Sequence, residues 1–183
     1  MQKIKKYSFI KKEHHKCIVV SDPSHLYHTS NNIVTHNSAM TSYSQPYDSL
    51  VQKEDGTFVE MGSLKIGDAL MPTLSNESKV TNIFEQGEQD TYELDFGNNI
   101  KTRCSLGHWW LLFDTKEKKY IVLQTKDFIK NKERYLVPEE EDIKRDADLI
   151  KEANRIHELQ SHLVIFNPSV KRGDFKIVKT SKC

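Results

Sequence analysis

Glycine and proline are scarce, 7 and 5 in 183 residues, which excludes a disordered linker or a repetitive array. Cysteine is scarcer still. Cys17, Cys104 and Cys183 are odd in number, far apart and never spaced C-x-x-C, so neither a disulfide framework nor a Cys-rich zinc site is expected. A reducing, cytoplasmic setting follows as the expectation. No run of about 18 apolar residues occurs, so no transmembrane helix is expected. The opening MQKIKKYSFIKKEHHK is basic but lacks the apolar stretch of a signal peptide. Excess charge is missing too: 27 Lys and Arg against 26 Asp and Glu leave +1, too little for a purely electrostatic nucleic-acid or membrane binder.

What is present is histidine, and a β pattern. Five of the eight histidines (His14, His15, His25, His28, His36) fall in the first 36 residues. Lys3–Ile10, Cys17–Val20 and the stretch ending in Ile33-Val34 carry the β-branched and aromatic residues of short strands. Residues 38–47 are small, polar and aperiodic, which reads as a loop. Strands resume at Leu50–Gln52 and Thr57–Glu60 around Asp55-Gly56, a hairpin signal because glycine tolerates positive φ. Lys79–Phe84 and Asp90–Phe96 are expected to form a second hairpin around Gly87. Ile100–Ser105, Trp109–Phe113 and Tyr120–Gln124 follow as strands, Thr125–Lys132 as a helical turn or two, and Tyr135–Val137 as a strand stopped by Pro138. From Glu139 to Gln160 apolar residues recur every three or four positions (Ile143, Ala147, Ile150, Ala153, Ile156, Leu159), predicting an amphipathic helix. His162–Phe166 and Phe175–Val178 read as further strands. The expectation is an all-β body with a helix-containing appendage over 139–183.

Three constellations could carry chemistry. In Thr35-His36-Asn37-Ser38, the Asn37 amide can attack its own carbonyl, forming a succinimide and breaking the next bond, while His36 supplies a proton. Ser38 offers a hydroxyl nucleophile. In Ser105-Leu106-Gly107-His108, a hydroxyl and an imidazole three residues apart across a Gly turn can hold a peptide carbonyl and protonate its nitrogen. Ser44 leads from the loop into Gln45-Pro46-Tyr47-Asp48-Ser49-Leu50-Val51. Each is, alone, what ordinary turns contain. The His-rich start could also supply metal ligands (His14, His15, His25, His28, Cys17), but their spacing fits no zinc pattern, so no metal is expected.

Together these blocks resemble an intein, a self-splicing domain of the Hint fold. Ser44 through Val51 looks like the opening block with its Ser or Cys nucleophile. Ser63-Leu-Lys-Ile-Gly-Asp-Ala-Leu resembles the L-x-x-G-D turn, and Gly97 through His108 the T-x-x-H block with Ser105 in the Thr place. His25 through Ser38 looks like the two C-terminal blocks joined. Their order is permuted: C-terminal blocks come first. The resemblance therefore implies a C-fragment over 1–37, an extein-like linker over 38–43 and an N-fragment whose Hint core spans 44–138. Two serine nucleophiles resemble the cysteine-independent split inteins of phage DNA polymerase genes. Cys17 falls where many inteins place an Asp, with Asp22 as the alternative acid.

The resemblance implies an all-β horseshoe and autocatalytic, single-turnover splicing with no cofactor. Ser44 would attack the Tyr43 carbonyl in an N-to-O acyl shift helped by Ser105 and His108. Ser38 would take the acyl group, Asn37 would cyclise with His36, and His25 would assist as acid or base. The implied partners are the complementary fragment and flanking extein polypeptides, with a monomeric body, no nucleic acid and no membrane. The linker, at most about 20 Å when extended, can reach between two neighbouring ends. A Hint-type autoprotease that cleaves without ligating, or a non-catalytic β-rich binding module, are the alternatives.

Overall fold

The computed structural model describes residues 1–30, 33–36 and 44–166, the last seven by backbone alone. Asn37, Ser38, Tyr43 and the expected strand Phe175–Val178 lie outside the described residues. The strands in chain order are β1 (Gln2–Lys3), β2 (Lys6–Val20), β3 (Leu26–His28), β4 (Val34–His36), β5 (Gln45–Pro46), β6 (Leu50–Gln52), β7 (Phe58–Glu60), β8 (Ala69–Leu70), β9 (Ser78–Gly97), β10 (Ile100–Cys104), β11 (Trp109–Asp114), β12 (Lys119–Gln124) and β13 (Tyr135–Val137). Among the described residues the helices are α1 (Thr125–Phe128), α2 (Glu140–Arg145) and α3 (Ala147–Phe166), with 3₁₀ turns at Met61–Ser63 and Ile129–Arg134. The described body is mostly β-sheet, in keeping with the β-branched and aromatic residues of its strands.

Two larger sheets organise it. In the five-stranded one the order is β10-β9-β2-β5, with β8 added to β9; in the four-stranded one it is β1-β13-β11-β12, and β3-β4 and β6-β7 form two-stranded sheets. Antiparallel β2 and β9 pair from Lys6↔Asp95 to Val20↔Val80. The hairpin expected around Gly87 is replaced by this single 20-residue strand. The reason lies in the partner. β2 pairs along both halves of β9, so the chain runs straight through Gly87. The register slips there: His15 faces Gly87 and Lys16 faces Glu85, leaving Gln86 as an extra residue. Gly87 sits at φ +65°, the conformation that a bulge of this kind needs and glycine adopts without strain.

Asp55-Gly56 does turn the β6–β7 hairpin, with Gly56 at φ +83°. The long helix expected over Glu139–Gln160 is broken at Asp146, which leaves the helical region (φ −106°, ψ 25°). Beyond it, α3 continues to Phe166, so the strand expected at His162–Phe166 is helix instead. Leu159, Leu163 and Phe166 continue the helical spacing, and a short apolar run is by itself ambiguous between helix and strand.

Residues of the first 36 enter all three apolar clusters. Leu26 and Val34 pack with Trp109, Leu111 and Ile150; Ile4 and Ile33 with Leu94, Trp110 and Phe128; Ile18, Val20 and Tyr27 with Val51, Met61 and Leu70. No described helix is long and apolar enough to cross a membrane.

Candidate functional site

β5 pairs with β2 through His15↔Pro46 and Lys16↔Gln45, which fixes Ser44 beside the His15 side chain. Ser44 is buried. Its Oγ lies 3.2 Å from His15 Nδ1 and 3.4 Å from Ser105 Oγ. His15 Nε2 in turn meets Thr91 Oγ1 at 2.8 Å. Burial pulls the His15 pKa below its ordinary value, against a hydrogen bond to the Ser44 backbone and the carboxylates of Glu13 and Asp48, which raise it, while Arg103 lowers it further. An open cleft of about 390 Å³ adjoins Ser44, bounded by Ser105, Leu106, Gly107 and, from the bulged strand, Gln86 and Gln89.

The turn 105–108 is held from several sides. The His108 amide donates to the Ser105 carbonyl at 3.2 Å, and the amides of Thr125 and Lys126 donate to the carbonyls of His108 and Leu106. Gln124 adds a bond to the Gly107 carbonyl, and the Thr125 hydroxyl, held by the Trp110 indole, adds another to His108. Such a loop keeps its geometry because the first turn of α1 supplies its partners. From it, His108 Nε2 reaches the Thr35 hydroxyl. Ser44 and the strand that ends at His36 therefore meet at the two ends of a single turn.

His36 points to the other face of β4, as alternation along a strand dictates. Its ring stands edge-on to His157 of α3 at 5.4 Å, and lies 6.1 Å from His25. Burial first, then the neighbouring His157, His25 and His108, hold its pKa well below the usual imidazole value. It is neutral at pH 7. His25, at φ +55°, places Nε2 2.6 Å from the Glu158 carboxylate. The Asn154 side-chain amide donates to the Ser24 carbonyl, and His157 also packs 4.3 Å from Trp109. Thus the appended helix lines the second half of the site.

Of the residues expected from the sequence, Ser44, Ser105, His108 and His36 are brought together around this turn, with His25 beside His36. Asn37 and Ser38 lie outside the described residues. Cys17 belongs to the apolar cluster of Leu26 and Val34, its thiol 3.7 Å from the Ile18 carbonyl. Asp22 is a loop clamp. Its carboxylate accepts from Ser24, Thr73, Leu74 and Ser75; burial alone would raise its pKa, but these bonds hold it below the usual carboxylate range. Cys104 points away from Ser105 into the core, where burial pushes its thiol up to about 12. That thiol is no nucleophile at neutral pH.

Thr91, Asn154, His157 and Glu158 were not expected as site residues, and His15 was weighed only as a metal ligand. His15 and Ser44 are 29 positions apart, and only strand register joins them. The one local signal was a histidine two residues before the apolar run Cys17-Ile18-Val19-Val20. No described group of His, Cys, Asp and Glu could hold a metal ion. No protein-family model matches the chain, and no curated protein matches it either.

Proposed function

We propose that the chain is a self-splicing domain of the Hint horseshoe type, acting once on its own backbone. The observation that carries the reading is that one rigid turn, 105–108, touches Ser44 through Ser105 and the strand end Thr35–His36 through His108. Both bonds to be cut, Tyr43–Ser44 and Asn37–Ser38, adjoin those contacts in sequence. Holding two reacting peptides in one place is the largest part of what an intramolecular acyl transfer needs.

Ser44 Oγ attacks the Tyr43 carbonyl, and the C–N bond breaks to leave an ester and a free Ser44 amine. Ser105 and His108 help this step by holding the developing charge on the carbonyl oxygen. Ser38 Oγ then displaces Ser44 Oγ from the acyl carbon. The Asn37 side-chain nitrogen attacks its own carbonyl and expels the Ser38 amine, assisted by His36. The freed amine finally takes the acyl group from Ser38 Oγ. The products are residues 1–37 ending in a succinimide, residues 44–183, and a ring of 38–43.

Intact mass of the purified chain followed over days tests this. The expected result is appearance of those three masses, abolished for the ring by Ser44→Ala and by Asn37→Ala. A linear 38–43 peptide, heavier by one water, would identify cleavage without ligation. A mass that never changes would overturn the reading in favour of a binding module.

A further inference from the structure

The hydroxyl expected to attack is held by an imidazole on a different strand, and that imidazole is itself held from behind. His15 is fully buried, with Nδ1 3.2 Å from Ser44 Oγ and Nε2 2.8 Å from Thr91 Oγ1. A serine hydroxyl attacks an amide poorly unless its proton has somewhere to go. The arrangement of a nucleophile, a base and a third group that orients the base is the one by which such hydroxyls are activated. Both flanking contacts come from backbone that cannot drift. Ser44 is fixed by the β2–β5 pairing, and Thr91 by the β2–β9 ladder. Opposite His15 stands Gly87, which has no side chain to crowd the ring.

Resting on the reading of Ser44 as nucleophile, we infer that His15 is the base of the first step, oriented by Thr91. Nε2–H donates to Thr91 Oγ1, which leaves the Nδ1 lone pair facing the Ser44 oxygen. The Ser44 hydroxyl, which donates to Ser105 Oγ at rest, turns to His15 Nδ1 as it attacks. As Ser44 Oγ bonds to the Tyr43 carbonyl carbon, its proton passes to His15 Nδ1. When the carbon–nitrogen bond breaks, that proton is returned to the Ser44 nitrogen, which leaves as a neutral amine. His15 ends the step as it began, and no other reactant is consumed.

The test uses the full chain carrying Asn37→Ala and Ser38→Ala, in which only the Tyr43–Ser44 ester can form. Hydroxylamine cuts that ester, so the rate at which 1–43 and 44–183 appear by mass reports the first step. Adding His15→Ala is expected to lower this rate about 100-fold or more. His15→Gln, which keeps a side chain of similar reach but has no titrating base, is expected to be equally slow. Thr91→Val, which keeps His15 but removes its partner, is expected to fall between them and the parent. Circular dichroism of each variant matching the parent separates chemistry from folding, and a His15→Ala chain that does not fold leaves the Gln and Thr91→Val comparisons to decide. A parent rate retained in the folded His15→Gln or His15→Ala chain overturns the role of His15 while leaving Ser44 as nucleophile. Cleavage that persists after Ser44→Ala, or that never occurs in the parent, overturns the splicing reading itself.

Discussion

At the scale of single residues, the interior is rich in imidazole that must stay uncharged. Burial pulls the pKa values of His15, His28 and His36 below the ordinary value of 6.5, His36 furthest. In the unfolded chain the same groups take up protons as pH falls past about 6.5, so acid favours the unfolded state. The stability they give is complete above that pH and is lost as pH falls toward their folded-state values. Urea unfolding at pH 7.5 and 5.5 should differ by about 1.4 kcal/mol for each imidazole that stays neutral at the lower pH. Carboxylates titrate mainly below about pH 4.5 and leave this window to histidine. Equal midpoints at the two pH values would contradict buried, neutral rings. Among these residues, legibility was uneven. Ser44, Ser105, His36 and His108 stood out because their neighbours in sequence form short blocks with a chemical logic. His15 and Thr91 belong to no block, and their pairing exists only once β2 is in register with β5 and β9.

At the scale of elements, α3 shows why an apolar stripe can be misread. The sequence pattern named Ala147, Ile150, Ala153, Ile156 and Leu159, yet Leu159 is half exposed, and the buried stripe is Ile150, Ala153, Asn154 and His157. The spacing is that of a helix face in both cases. Hydrophobicity alone cannot tell that two of its four members are polar because they face Ser24 and His36. Ile150, wholly buried among Leu26, Val34 and Trp109, anchors the helix. Ile150→Ala is expected to cost about 2–5 kcal/mol in urea unfolding, the usual range for a large-to-small change in a closed core. A loss under about 1 kcal/mol would mean that the helix is not seated on the sheet. The hairpin expected at Gly87 failed for a related reason: glycine serves a turn or a bulge equally well, and the choice rests with a partner strand some 70 residues away.

At the scale of the whole molecule, the described residues of the first 36 are not a separate lobe. They supply side chains to every apolar cluster and one full side of the longest ladder. A synthetic peptide of residues 1–37 should show no cooperative thermal transition by circular dichroism, having no surface of its own to bury. Mixed with a chain of 44–183, it should gain β signal and saturate at one peptide per chain. A cooperative transition in the peptide alone would refute this picture of a shared core. The mostly-β character was legible from composition and turn signals, whereas the joining of both segments into one sheet followed only from the long-range pairing.

The antiparallel alignment of β2 and β9 also makes the molecule mechanically directional. Lys6 faces Asp95 at one end of the ladder and Val20 faces Val80 at the other. Tension between Lys6 and Asp95 peels the ladder open bond by bond, each giving way under a small load. Tension between Lys6 and Val80 instead slides one strand along the other, so the rungs resist together and must fail together.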